Sequence, residues 1–194
     1  MSFEIPMKRG AVVVENHSMY KDDQNPFELL GMEPTFEVDL ALLDEAYFAR
    51  QSLAHPDRFV YHSEPERIAA SAQASSLNWA YETLKNPMLR AKALLKIRGI
   101  EVGGEDGKTI QNFQLLEEMM GLQDALSEAM IPHDLSQVES QVQERLQGVK
   151  SSFALALRQD DSIELGELFL RLTYLSKLMS DIKLRQRQSS IKTL

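Results

Sequence analysis

The chain has 194 residues, 43% of them hydrophobic, which is enough for one generous domain or two small ones with a packed core. Its 29 acidic and 21 basic side chains give a net charge of −8, which repels a phosphate backbone and excludes nucleic acid as a main partner. The absence of cysteine removes disulfides, thiolate zinc sites and a cysteine nucleophile together, and it points to a reducing, cytoplasmic setting.

Residues 1–24 mix Lys8 and Arg9 with Glu4, Glu15, Asp22 and Asp23, and their one apolar run is Ala11-Val12-Val13-Val14. That run is too short for a secretory signal and the segment too acidic for a mitochondrial presequence, so a loosely ordered extension is predicted. No stretch of the sequence is apolar enough to span a membrane. Asn25-Pro26-Phe27-Glu28 then reads as a helix start: Asn25 caps, Pro26 suits the first helical position, and Glu28 can bond back to the cap. Gly31 ends that helix. A second helix is expected from about Asp39, with Leu40, Leu43, Tyr47, Arg50 and Ala54 recurring at three and four residues. It stops near His55, because Pro56 disfavours helical backbone at the residue before it and has no N–H to continue the ladder. Helical structure restarts at Ser63-Glu64-Pro65-Glu66, a capping box, and runs through Ile68, Ala72, Trp79 and Ala80 to Leu84, with Trp79 assigned to the core. After Asn86-Pro87 a further helical piece spans Met88 to Arg98, in which Leu94, Leu95 and Ile97 are candidates for packing across a junction.

Gly99, Gly103, Gly104 and Gly107 mark a boundary, so residues 25–98 are expected to form one domain, 99–108 a linker and 109–194 a second domain. Three amphipathic patterns fill the second domain. The first carries Leu116, Met119, Met120, Gln123 and Leu126 and ends before Pro132; the second begins at the candidate cap Asp134 and carries Val138, Val142, Leu146, Val149 and Phe153. The third opens on Asp161-Ser162-Ile163-Glu164, another capping box, and carries Leu165, Leu168, Leu172, Leu175, Met179 and Ile182. Short loops imply antiparallel neighbours in a three-helix bundle, and no run sustains the period of two that a strand needs outside the N-terminal extension. The expected fold class is all-α.

Between the second and third helices, His55, Pro56 and Asp57 occupy a bend at the tip of a helical hairpin, which would present an imidazole and a carboxylate outward. This bend, with Asn25-Pro26-Phe27-Glu28-Leu29-Leu30-Gly31 before it and Leu77-Asn78-Trp79-Ala80-Tyr81-Glu82-Thr83-Leu84-Lys85-Asn86-Pro87 after it, resembles the J-domain of DnaJ-type co-chaperones. Leu89-Arg90-Ala91-Lys92-Ala93-Leu94-Leu95 and the acidic three-helix tail narrow the resemblance to the HscB (Hsc20) family, over roughly residues 25–188. The lack of the paired-cysteine extension of eukaryotic relatives points to the bacterial form.

The resemblance implies an L-shaped, all-α adaptor that is not itself an enzyme and needs no cofactor. Its J-domain would engage an ATP-loaded chaperone of the 70 kDa heat-shock class (HscA/DnaK type) and stimulate hydrolysis there, while its tail would hold the iron-sulfur cluster scaffold protein (IscU type). A general DnaJ-type co-chaperone whose tail binds a different client is the alternative. The chaperone-binding residues so implied are His55, Pro56 and Asp57, with Arg50 and Arg58 as the remnant of a basic face that the family usually carries on its second helix. The scaffold-binding residues so implied are Leu116, Met120, Asp124 and Glu128, at steps of four on one helical face, and Tyr174, off the Leu172/Leu175 stripe. Gly121 stands where relatives often have an acid. By spacing alone, Leu116 and Met120 fit a core stripe as well as a surface patch.

Gly103-Gly104-Glu105-Asp106-Gly107-Lys108-Thr109 ends like a phosphate-binding loop. The glycine that such a loop needs five residues before Gly107 is Val102, however, and no strand is expected to precede it. His55, Asp57 and His62 approach one another in sequence but fall short of the four ligands of a structural zinc site. Neither a nucleotidase nor a metal-dependent hydrolase is expected.

Overall fold

A computed structural model describes residues 24–100, 113–129 and 131–192; the predicted N-terminal extension up to residue 23 and the Gly-Lys-Thr stretch lie outside the described residues. Among the described residues there are seven α-helices and no strand: α1 (Pro26–Leu30), α2 (Leu40–Ala54), α3 (Glu64–Lys85), α4 (Pro87–Ile97), α5 (Phe113–Glu128), α6 (Pro132–Gln159) and α7 (Ser162–Lys192). A single 3-10 turn, Pro56–Phe59, joins α2 to α3.

Local chemistry sets most of the ends. Asn25 Oδ1 accepts the Phe27 N–H at 3.0 Å and Asn25 Nδ2 donates to Glu28 Oε1 at 3.0 Å, which starts α1. Gly31 closes it in the left-handed region, at φ 57°, where a side chain would cost about 1–2 kcal/mol and its Cβ would run into the Arg50 guanidinium. Asp39 Oδ1 accepts the Ala41 N–H at 2.8 Å at the start of α2. Asp161 Oδ1 does the same for Ile163 and Glu164, at 3.1 and 3.0 Å, at the start of α7. α6 departs from expectation: it begins at Pro132 after Ile131, so Asp134 lies in its first turn rather than at its cap.

α1, α2 and α4 gather around α3 through Phe27, Leu30, Leu43, Ala54, Leu77, Ala80, Leu84, Ala91, Leu94 and Leu95, all buried. Four expected core positions are corrected here. Leu40 is 52% exposed because it is the first residue of α2. Ile68 and Ala72 are exposed because the buried stripe of α3 is Ala70, Ala74, Leu77, Ala80 and Leu84. Trp79 is only half-buried: it lies about half a turn from that stripe, in a cleft of about 360 Å³ with Asn25, Pro26, Thr83, Leu89 and Ile97. Ile97, 41% exposed, lines this cleft.

α5, α6 and α7 form an up-down-up bundle. Glu118 of α5 pairs with Arg145 of α6 at 3.3 Å and with Arg171 of α7 at 3.6 Å, while Gln186 of α7 donates to Glu139 of α6 at 2.7 Å. Arg185 of α7 also donates to the Leu126 carbonyl of α5, and the order of these partners makes α5 and α7 parallel to each other and antiparallel to α6. The two modules share one apolar core. Phe36, after α1, meets Phe153 of α6 edge to face with ring centroids 5.0 Å apart. On the other side of Phe36 lies the buried Arg90 guanidinium, 5.3 Å from its ring centroid, with Nη1 donating to the Leu84 carbonyl at 2.6 Å. Burial holds that guanidinium below its ordinary pKa. Around this contact, Arg98 donates to the Leu157 carbonyl at 3.0 Å and pairs with Asp160 at 3.4 Å, and Arg158 pairs with Glu37 at 2.7 Å.

Candidate partner-binding surfaces

The bend at the tip of the α2–α3 hairpin follows from Pro56. His55 leaves the helix with φ −62° and ψ 129°, as the residue before a proline must, and Pro56 opens the 3-10 turn at a position where its missing N–H is no loss. His55 Nδ1 then caps this turn by accepting the Asp57 N–H at 3.3 Å. A nitrogen that accepts carries no proton, so the neutral ring holds its proton on Nε2, available to donate outward. The Asp57 carboxylate stands 3.5 Å from the same Nδ1; it becomes an ion-pair partner only when the ring is protonated. Half of the His55 side chain and 85% of that of Asp57 reach solvent. The bend thus offers one donor and one free carboxylate on a short, stiff turn.

A polar ladder holds the hairpin that carries it. Tyr47 of α2 stacks on Tyr81 of α3 with centroids 4.4 Å apart. The Tyr47 hydroxyl and Gln51 Nε2 both donate to Asn78 Oδ1, at 2.8 and 3.2 Å, and the Tyr81 hydroxyl donates to Asp44 at 2.8 Å. Lys85 Nζ donates to the Tyr81 hydroxyl at 3.0 Å, and that bond raises the lysine pKa. The two basic candidates each bond back to the backbone of α2. Arg50 is half-buried beneath Gly31 and donates to the Ala46 carbonyl at 3.3 Å, and Arg58 donates back to the Ser52 carbonyl at 3.3 Å.

On α5 the buried stripe is Leu115, Leu122 and Leu126, with Met119 half-buried. Leu116 is 39% and Met120 64% exposed, so the patch prevails over the core for both, and Asp124 and Glu128 are exposed further along. Phe113, 76% exposed, precedes Leu116 by one turn and extends the same face. Tyr174 of α7 is 42% exposed. The ion pair of Glu118 with Arg171, one turn before Tyr174, ties this part of α7 to α5. The result is an apolar strip of Phe113, Leu116 and Met120 with a carboxylate border.

Residues 111–183 match the family model described as the HSCB C-terminal oligomerisation domain. The chain is 33% identical over 166 residues to the co-chaperone protein HscB homolog of Vibrio vulnificus, covering 82% of this chain and 95% of the relative. The chain belongs to the HscB co-chaperone family. It is also 31% identical over 160 residues to the human iron-sulfur cluster co-chaperone protein HscB, covering 82% of this chain and 68% of that protein. The crystal structure of human co-chaperone protein HscB superposes with a TM-score of 0.79 at 30% identity, covering 85% of this chain and 83% of that one. The chaperone HscB from Vibrio cholerae superposes with a TM-score of 0.74, also at 30% identity, covering 85% and 99%.

In this HscB-family co-chaperone, sequence reasoning missed the ladder residues Asp44, Gln51 and Asn78 and the strip residue Phe113. Asn78 and Tyr81 one turn apart, facing Tyr47 and Gln51 one turn apart, are the signal for the first group. Phe113, three residues before Leu116, is the signal for the second.

Proposed function

We propose that this co-chaperone stimulates ATP hydrolysis by a 70 kDa heat-shock class chaperone of the HscA/DnaK type and delivers to it an iron-sulfur cluster scaffold protein of the IscU type, aiding cluster assembly and transfer. The observation that carries the proposal is the bend: His55 and Asp57 stand exposed on a 3-10 turn, and a polar ladder between α2 and α3 fixes the hairpin beneath them. A donor and a carboxylate held rigidly can favour one conformation of a partner that binds them differentially, which is how an adaptor speeds a reaction on another protein. Each charged hydrogen bond made there is worth about 1.5–3 kcal/mol. Pro56 keeps the turn short, and Arg58 lies beside it.

The strip of Leu116 and Met120, bordered by Asp124 and Glu128 and accompanied by Tyr174, supports the scaffold half of the proposal. Exposed apolar anchors with a charged border suit protein recognition. The test is steady-state ATP hydrolysis by the chaperone with scaffold present, comparing the wild-type chain with His55→Gln. The variant is expected to lose stimulation while its helical circular dichroism is unchanged; equal stimulation by the variant removes the proposal. Capture of a cysteine-rich cluster scaffold by the wild-type chain separates this reading from that of a co-chaperone serving another client.

A further inference from the structure

α4 buries one side only. Arg90, Ala91, Leu94 and Leu95 are buried, whereas Leu89, Ala93 and Ile97, at steps of four, line the cleft that α4 forms with Trp79 and Thr83 of α3. Leu89 and Ile97 are exposed and Trp79 is half-buried, so α1, α3 and α4 leave an apolar floor uncovered. The rim of the cleft is basic. Lys92 and Lys96, one turn apart, are exposed, and neither pairs with a carboxylate among the described residues. Gln24 also lines the cleft, and its buried Oε1 has no hydrogen-bond partner among the described residues. An acceptor so buried is costly until an N–H reaches it. None of His55, Asp57, Leu116 and Tyr174 lines this cleft, which is therefore separate from the bend and from the strip on α5.

The chain that leads into Gln24 complements each of these features. Met19 and Tyr20 precede it closely, and the run Val12-Val13-Val14 lies further back. Over residues 11–23 the acids are Glu15, Asp22 and Asp23, against Lys21 as the one lysine or arginine. Reach is no obstacle: from Leu89 to Ile97 the helix is about 12 Å long, while the chain from Gln24 back to Val14 extends to about 33 Å. A segment tethered at the cleft is present there at an effective concentration on the order of millimolar, which favours it over a free ligand of the same chemistry.

We propose that the cleft between α3 and α4 is the docking site of the chain's own residues 11–23. Met19, Tyr20 and the valine run cover Trp79, Leu89 and Ile97, Asp22 and Asp23 face Lys92 and Lys96, and a backbone N–H of the segment reaches Gln24 Oε1. Desolvation of the floor supplies the attraction, and the rim lysines fix the placement.

Trp79 is the chain's only tryptophan, so its fluorescence reports on the cleft directly. The experiment compares acrylamide quenching of Trp79 in the full wild-type chain with that in the double variants Met19→Asp/Tyr20→Asp and Val12→Asp/Val13→Asp. Each is expected to raise the quenching constant about twofold and to shift the emission to the red, with helical circular dichroism unchanged. Lys92→Glu/Lys96→Glu is expected to do the same. Adding Asp22→Lys/Asp23→Lys to that variant is expected to restore the wild-type value, a rescue that a purely local role of the two lysines would not give. Equal quenching in the wild type and both extension variants overturns the proposal. So does shielding that is lost when the wild-type chain is diluted about tenfold, which would seat a second copy in the cleft. Shielding that arises only on addition of a chaperone or scaffold protein overturns it as well, in favour of a partner's segment.

Discussion

The hairpin that carries His55 and the bundle that carries Leu116 are built by different means. In the hairpin the buried residues are fewer and partly small (Leu43 and Ala54 of α2; Leu77, Ala80 and Leu84 of α3), and exposed or half-exposed polar groups of Tyr47, Gln51, Asn78, Tyr81 and Asp44 fix the register of the two helices. In the bundle, long stripes of Leu, Val and Phe carry the packing, and Glu118 ties the three helices with two arginines. Polar contacts in partial solvent each net only about 0.5–1.5 kcal/mol, whereas a buried aromatic is worth several times more. The bend thus sits on a hairpin whose register is fixed by individually weak, directional bonds, while the exposed strip of α5 lies on a bundle held by strong, undirected ones. Stability and loop geometry should respond to different substitutions.

The largest expected effect tests the bundle. Phe153 is fully buried and meets Phe36 of the other module, so Phe153→Ala should cost about 3–5 kcal/mol in urea unfolding followed by circular dichroism. A loss below about 1 kcal/mol would show that the junction is not part of the core. Next come Leu116→Ala and Tyr174→Ala. Each is expected to weaken scaffold binding by about 1–2 kcal/mol in calorimetry, because each is a partly exposed anchor of the proposed strip. Their unfolding free energies should stay within about 0.5 kcal/mol of wild type. Unaltered scaffold affinity in both would remove the strip from the interface. Smaller again is Asn78→Ala, which strands the Tyr47 hydroxyl and Gln51 amide at a cost of about 1 kcal/mol. Its amide exchange should quicken in α2 and leave α6 untouched, and chaperone stimulation should fall with it; exchange spread evenly over both modules would refute the separation.

What was legible in the sequence was whatever is encoded within one turn of chain. Asn25 and Pro26 start a helix, Gly31 and Pro56 end one, and Asp161 caps another, because each acts on backbone within a few residues. Periodicity also gave the stripe Val138, Val142, Leu146, Phe153 and the stripe Leu165, Leu168, Leu172, Leu175, Ile182, since helices embedded along their length bury a single face. It failed for Ile68, Ala72 and Trp79, whose helix is packed from two sides by α2 and by α1 with α4. Which of Leu115 and Leu116 is buried depends on where α6 and α7 lie, and no spacing within α5 records that. The contact of Phe36 with Phe153 is likewise a matter of tertiary geometry alone. The bend was legible as a motif, whereas the ladder that steadies it left only two pairs of polar residues one turn apart, Tyr47 with Gln51 and Asn78 with Tyr81, and which pair faces which is a matter of tertiary packing.

The smallest expected effect lies just beyond the bend, where Glu66 anchors the start of α3. Its Oε2 accepts the Ser63 hydroxyl at 2.6 Å and the Ser63 N–H at 2.9 Å. The hydroxyl bond first, and then the backbone bond, hold this carboxyl below the ordinary glutamate pKa. A carboxyl depressed in the folded state stabilises it at pH values above the unfolded pKa, and that contribution is lost as pH falls through the folded pKa. From neutral pH upward the start of α3 should therefore be indifferent to pH, and on acidification it should fray only below the range in which exposed glutamates titrate. The Ser63 amide resonance should follow this titration in NMR, with a midpoint below the ordinary glutamate pKa, and Glu66→Gln should abolish the dependence while an amide oxygen keeps part of the cap. A Ser63 amide that titrates at the ordinary glutamate pKa would show that the carboxylate does not hold the turn from which α3 rises beside the bend.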